Sequence, residues 1–299
     1  TRQLVLKAIK ELGYNAAPLS RRPSAHGISS PTLCFGLLMC SLDEQSNPWN
    51  LSYFSTLAEG IDKVSKWNNV EINFMTIKSS HDYIEADISH LEKFSGLIVL
   101  GSPSEELITK LNTHNIKFIV LTSQKTDFDC DMVVVDNIRS GIETAKHILA
   151  AGKTKVGYIA TKYDEERFDG LKIGLAKKNV RIDDKNGKMV ASTDVCDFIE
   201  CVHNWIQTGD LPEVIVVSFI DAALSVKKIL ELNSIKVPDD VALYSFCHAE
   251  NENSGIPCMR MFPRMMGEKA ANRLIELIRK PHDVPHKIVT PMVYTTGSR

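Results

Sequence analysis

The stretch VVVDNIRSGIETAKHILAAGKTKVGYIA, residues 133–160, decides the fold. It opens on a β-branched run, passes through Asp136 and Asn137, continues with Ile138, Ile142, Ala145, Ile148 and Leu149 at helical spacing, and returns to a second β-rich run at 155–159. Strand, amphipathic helix, strand is the unit of a parallel sheet. The same alternation extends both ways. Apolar runs at 33–39, 70–75, 96–100, 117–122, 132–135, 155–159, 213–218 and 241–246 read as strands separated by helices. Short, near-continuous Val/Ile/Leu runs mean strands covered on both faces, so the fold class is α/β, doubly wound. This many strands in about 265 residues is too many for one comfortable sheet, and two sheets in two lobes are expected.

Composition excludes several classes. The 299 residues are 43% hydrophobic and 24% charged, with 16 Gly and 12 Pro, which is ordinary for a globular chain and unlike a coiled coil, a collagen-like repeat or a disordered tail. No apolar run approaches the roughly 20 residues that span a bilayer. The seven cysteines are odd in number, scattered and mostly set in apolar stretches, the habit of reduced thiols, and a cytoplasmic location is expected. Charge is uneven. Residues 1–24 carry Arg2, Lys7, Lys10, Arg21 and Arg22 against Glu11, a local +4 on a body of −6. That is either a solvated helix face with a polar linker or a segment that contacts phosphates.

Residues 1–14, TRQLVLKAIKELGY, read as a helix with an apolar face of Leu4, Val5, Ala8, Ile9 and Leu12 and a stop at Gly13. The following NAAPLSRRPSAHGISSP reads as a linker. A helix with an apolar face and no neighbour in sequence is an incomplete unit, so the chain is expected to begin inside a small N-terminal domain.

Catalytic signatures fail in turn: there is no GxSxG elbow, no GxxxxGK[ST] loop, no GxGxxG, no HExxH and no CxxC. His282 and His286 are four apart but in a loop, and Cys247 and His248 are adjacent on a strand and point to opposite faces. No enzyme, cofactor or metal site is expected. Ligands in open α/β sheets bind at the carboxyl ends of strands, and in a two-lobed chain the cleft between lobes is the natural pocket. That rule selects Tyr53, Phe54, Asp136, Asn137, Arg167, Phe219, Cys247 and His248. Asp136 could equally cap the helix that begins beside it, and Arg167 could be a surface ion-pair partner.

These residues fit a known pattern. TRQLVLKAIKELGYNAAPLSRR resembles the end of the helix-turn-helix domain and the hinge of the lactose/galactose repressor (LacI/GalR) family of bacterial transcription regulators. VVVDNIRSGIETAKHILAAGKTKVGYIA resembles that family's V-x-x-D-N and G-H-x-x-I-g pattern, with Lys153 where His is usual. Arg167 and Gly170 fit R-x-x-G, IKVPDDVALYSF (235–246) fits the late VP-x-D strand, and MMGEKAANRLIELI (265–278) fits the helix after it. The resemblance implies a homodimeric repressor that binds operator DNA and closes on a small effector in a periplasmic-binding-protein-like core. It implies a last helix-turn-helix helix at 1–14, a hinge at 15–31 with Arg21 and Arg22 near DNA, a first lobe of 32–156 and 258–281, and a second lobe of 157–257 and 282–299. Pro23 stands where the family's minor-groove wedge is usually Leu, and the loop at 43–50 is about four residues longer than usual.

The pocket departs more. The family's N-D pair falls on Phe219 and Ile220, and a further Asp falls on Cys247, so groups that hydrogen-bond sugar hydroxyls are lost. Simple hexoses are therefore expected to bind poorly. The effector is expected to be either an anion or polar molecule held by Arg167, or a less hydroxylated or aryl-bearing compound against Phe219 and Tyr53; the alternatives are a register shifted so that Asp221 supplies the carboxylate, and a vestigial pocket. The competing readings are a solute-binding transport protein, which has no use for the basic N-terminal helix, and a small-molecule enzyme, which rests on fold analogy alone.

Overall fold

The chain divides into two units, Thr1–Thr32 and Leu33–Arg299. A computed structural model describes residues 32–40, 52–77, 88–124, 128–248, 254–280 and 284–297. The expected N-terminal helix, the hinge with Arg21, Arg22 and Pro23, the loop 43–50 and His282 lie outside the described residues.

The larger unit holds two six-stranded sheets. The first is built by β1 (Leu33–Cys40), β2 (Val70–Ile77), β3 (Gly96–Gly101), β4 (Phe118–Leu121), β5 (Met132–Val135) and β11 (Lys287–Thr290), in the order β11-β5-β4-β3-β1-β2. All its pairings are parallel. The second is built by β6 (Val156–Thr161), β7 (Gly187–Val190), β8 (Val214–Val217), β9 (Ala242–His248), β10 (Cys258–Met261) and β12 (Val293–Thr295), in the order β12-β10-β9-β8-β6-β7, with β12 alone antiparallel. The α/β class and the two sheets are as expected. Central strands such as GLIVL and VIVV are buried along their length because helices cover both faces, which is why their sequences run apolar without alternation.

The helices are α1 (Ser52–Asn68), α2 (Glu105–Thr113), α3 (Asn137–Ala150), α4 (Glu165–Ala176), α5 (Val195–Thr208), α6 (Ile220–Leu232) and α7 (Pro263–Arg279). α1 packs on α7, and α3 on α4. Both crossings are closed by glycines: a Cβ on Gly60 would stand 2.0 Å from the Arg264 carbonyl oxygen, and one on Gly141 2.1 Å from that of Arg167. Only backbone fits there.

Strand pairing divides the two sheets differently from the expected lobe boundaries. Cys258–Met261 pairs with β9 in the second sheet, whereas Lys287–Thr290 pairs with β5 in the first. α3 packs on α4 and reaches β10 and β12, while α7 lies on β3, β4 and β5. The chain thus crosses between sheets three times, at Asp136, at Phe262 and at 291–292. The physical reason is brevity. CMRM and KIVT are four residues each, too short for any periodicity to say which sheet edge they join.

Candidate functional site

The carboxyl ends of β4, β6, β8, β9 and β10 converge on a cavity of about 280 Å³ between the two sheets. Its walls are Tyr53, Ser123 and Gln124 from the first lobe, and Thr161, Tyr163, Asp164, Arg167, Thr193, Ser218, Phe219, Phe246, Cys247, His248 and Met261 from the second. Two larger hollows, of about 720 and 760 Å³, lie beside the Phe262 crossing and along α1 and β2. The smaller cavity is the candidate site because buried polar groups with unused hydrogen-bonding capacity meet there.

Arg167 organises it. The residue is 6% exposed, and its chain position on α4 follows directly from the capped turn at the end of β6. Thr161 and Asp164 make that turn: the Asp164 Oδ2 accepts from the Thr161 hydroxyl at 2.8 Å and from its backbone N–H at 3.3 Å. The other carboxylate oxygen, Oδ1, accepts from Arg167 Nη1 at 2.8 Å. Arg167 Nε donates to Asn137 Oδ1 at 3.0 Å, and Nη1 also reaches the Ser218 carbonyl at 3.3 Å. The guanidinium lies 5.0 Å from the Phe246 ring centroid, a cation–π placement. Asn137 in turn donates to the Ser123 carbonyl at 2.8 Å and to Glu166 Oε2 at 3.1 Å. One hydrogen-bonded chain therefore joins Ser123 of the first lobe to Arg167 and Ser218 of the second.

Two hydroxyls remain over. Ser218 Oγ is buried with no hydrogen-bond partner among the described residues, Tyr53 OH is buried with only the Ser123 hydroxyl near it, and both belong to cavity-lining side chains. Ser218 is 1% exposed. Burial pushes the Tyr53 phenol up to about 12 against the smaller opposing effects of Ser123 and Arg167, so it stays a neutral donor. Unpaired buried hydroxyls are costly, which makes them markers of something that binds. The second tie between lobes is at His248. Its Nε2 stands 2.8 Å from Ser52 Oγ, and its ring meets that of Tyr53 edge-on at 5.5 Å. Burial lowers the His248 pKa, with the charge of Asp221 pulling partly back, so a neutral imidazole occupies the interlobe contact.

Of the sequence-selected residues, Tyr53, Arg167, Phe219, Cys247 and His248 line the cavity. Phe54 stands behind Tyr53, edge-on at 5.0 Å. Asp136 is the N-cap of α3, its side chain accepting from the Arg139 N–H at 3.1 Å, and it borders a separate hollow of about 160 Å³. Asn137 touches the network rather than the cavity. Sequence reasoning missed Thr161, Asp164 and Ser218. The signal for the first two was the run T-K-Y-D just past the sixth strand, where a Thr and an Asp three apart form a capping box. Ser218 was masked by the apolar residues around it. Among the described residues no group of three His, Cys, Asp or Glu gathers as a metal site would require.

The architecture and the cleft have known counterparts. Residues 145–298, just over half of the chain, match the family described as a periplasmic binding protein-like domain. The HTH-type transcriptional regulator RegA of Clostridium saccharobutylicum is 23% identical over 97% of this chain and 87% of its own length. The HTH-type transcriptional repressor MelR of Bacillus subtilis is 20% identical over 97% and 86%. This chain belongs to the LacI family. It is a transcriptional regulator with a periplasmic-binding-protein-like core. Among solved structures, the cellobiose complex of the transcriptional regulator CelR superposes with a TM-score of 0.75 at 16% identity, covering 98% of this chain and 89% of that one, which supports the fold. Among the described residues no helix of this LacI-family regulator is long and apolar enough to cross a membrane.

Proposed function

We propose that the interlobe cavity binds a small, neutral, sparingly hydroxylated sugar derivative, such as an aryl or alkyl glycoside, and that its occupancy governs operator binding by a homodimer. The observation that carries this reading is the pair of buried hydroxyls with unused hydrogen-bonding capacity, one from each lobe, on a cavity whose arginine is already neutralised. Asp164 holds Arg167 at 2.8 Å, so an anionic ligand would find no net positive charge to bind. Phe219 and Phe246 offer apolar surface, and Tyr53 and Ser218 offer two hydrogen bonds that only a ligand bridging the lobes can satisfy together. A volume of about 280 Å³ is at the low end for small-molecule sites, suited to a monosaccharide-sized body. The CelR relative's cellobiose supports a carbohydrate-related effector in a core of this shape.

Ligand binding across the cleft favours one lobe arrangement, and operator affinity shifts by the ligand's differential affinity for the two. In this reading Arg21 and Arg22 contact operator phosphates, a role that supports a cytoplasmic regulator rather than an enzyme. Homodimerisation is supported by the edge of the first sheet. There Trp67 is 80% exposed and Phe74 57%, beside a groove lined by Ala58, Val70 and Ile72. Pairing of this edge predicts a sedimentation mass about twice 33.4 kDa, reduced to the monomer by Trp67→Glu with Phe74→Glu.

The test is a thermal-shift screen with neutral glycosides, free hexoses and sugar phosphates, followed by fluorescence anisotropy of the full chain on its operator. Neutral glycosides should raise the melting temperature most and change operator affinity. Greater stabilisation by sugar phosphates, lost in Arg167→Gln, would overturn the neutral-ligand reading.

A further inference from the structure

The hollow of about 720 Å³ beside the Phe262 crossing shares a wall with the interlobe cavity, because His248 and Met261 line both. Ser52 closes that wall from α1, with its Oγ 2.8 Å from His248 Nε2. One layer of side chains separates the two spaces, and their chemistry differs. The inner cavity presents the rings of Tyr53, Phe219 and Phe246. The outer hollow lies between α1 and the first turns of α7, and polar groups dominate it. The Ser55 and Thr56 hydroxyls both donate to the Ser52 carbonyl, at 3.0 and 2.7 Å, which leaves their oxygens as acceptors. Glu268 holds Lys63 through Oε1 at 2.8 Å and Glu59 holds Arg264 through Oε2, so among the described residues each carboxylate keeps a second oxygen. Arg260 and Arg264 against Glu59 and Glu268 balance the charge of the described wall. Phe262 adds an aromatic surface, with the Arg260 guanidinium 5.4 Å from its ring centroid.

We propose that the outer hollow is a second subsite for the same molecule, taking a fully hydroxylated sugar unit attached to the glycoside held in the interlobe cavity. The inference rests on the reading of that cavity as a neutral-glycoside site and names the larger ligand that uses both spaces: a diglycoside whose linkage passes between His248 and Met261. A sugar hydroxyl donates and accepts at once, so it needs acceptors and donors side by side. Serine and threonine oxygens next to charge-balanced carboxylates and guanidinium groups supply them without favouring an ion. The inner volume of about 280 Å³ is at the low end for small-molecule sites, whereas about 720 Å³ is well inside the usual range of roughly 300–1,000 Å³. The inner cavity is filled by its own occupant, and the room for an added unit is outside. Passage of the linkage breaks the His248–Ser52 hydrogen bond, one of the ties between the lobes. A hydroxyl of the incoming unit takes the place of Ser52 on the imidazole, so the ring exchanges one partner for another.

Calorimetric titration of the full chain with matched pairs tests this: phenyl β-glucoside against phenyl β-cellobioside, phenyl β-galactoside against phenyl β-lactoside, and phenyl α-glucoside against phenyl α-maltoside. In at least one pair the diglycoside should bind about tenfold tighter than its monoglycoside. Thr56→Trp and Met265→Trp each fill the hollow at a residue that does not line the inner cavity. Either variant should abolish the advantage of the diglycoside and leave monoglycoside binding unchanged, which also shows that the variant is folded. Equal or weaker binding of the diglycoside in every pair whose monoglycoside binds would overturn the subsite and leave the reading of the inner cavity standing. Failure of both members in all three pairs would overturn that reading and the subsite with it. A preference for the diglycoside that survives in a folded hollow-filling variant would place the added unit elsewhere and overturn the subsite alone. The wild-type comparison decides whether the added unit is held, and the variants decide where.

Discussion

Each lobe holds a buried Arg–Asp pair, and the two are used in opposite ways. In the first lobe, Arg273 of α7 meets Asp131 at 2.6 Å, with side chains 2% and 5% exposed. The same Asp131 oxygen accepts from the His286 N–H at 3.0 Å, and Arg273 Nη2 donates to the Val284 carbonyl at 3.1 Å. That pair ties α7 to the approaches of β5 and β11 and is fully engaged. In the second lobe, Arg167 meets Asp164 at 2.8 Å at the wall of a cavity, over an aromatic face and beside an unpartnered hydroxyl. Similar ion pairs become a fastener or a site according to whether empty space and unused hydrogen-bonding capacity lie next to them.

Breaking the pairs one at a time should separate these roles. Arg273→Met strands a buried carboxylate and should cost about 3–5 kcal/mol in urea unfolding without changing ligand affinity. Arg167→Gln should cost less, about 1–3 kcal/mol, since Asp164 keeps its bonds from Thr161 and stands near the cavity. Its larger effect should fall on ligand affinity. A bigger stability loss at Arg167 than at Arg273 would reverse the assignment.

Asp136→Ala sharpens the contrast further. Asp136 caps α3, so its loss should cost about 1 kcal/mol in chemical denaturation and leave ligand affinity unchanged. A tenfold weaker Kd would return this residue to the cleft. The smallest effect concerns pH. His248 has its folded pKa lowered from 6.5 by burial, so the folded state takes up its proton less readily than the unfolded chain. Its contribution to stability is therefore fully present above pH 6.5 and is lost as pH falls from there through the lower folded pKa. Melting temperatures of His248→Gln should fall less steeply between pH 7.5 and 5.5 than those of the wild type. Some slope should survive in the variant, because burial lowers His147 as well.

The sequence carried the architecture further than the site. The eight expected strands fall within two residues of observed ones at both ends, because buried parallel strands write themselves as apolar runs. Four short strands, β7, β10, β11 and β12, were missed, and with them the lobe boundaries: half-exposed segments such as GKMV and KIVT carry no such run. At the cleft, the rule that ligands meet strand carboxyl ends found Tyr53, Arg167, Phe219 and Cys247. The sequence offered Asp136 equally as a cleft residue and as a helix cap, and the structure shows the cap; for Arg167 it offered a surface ion pair, whereas the pair with Asp164 is buried at the cavity wall. Which alternative holds depends on side-chain direction, which residue order alone leaves open.

Isothermal titration of the best neutral glycoside from the screen into wild type, Arg167→Gln and Arg273→Met tests the central claim most directly, at a temperature where all three are folded. The account predicts at least a tenfold weaker Kd for Arg167→Gln and an unchanged Kd for Arg273→Met. Equal affinity in the wild type and Arg167→Gln would contradict it, and would place the effector outside the cleft between the two sheets.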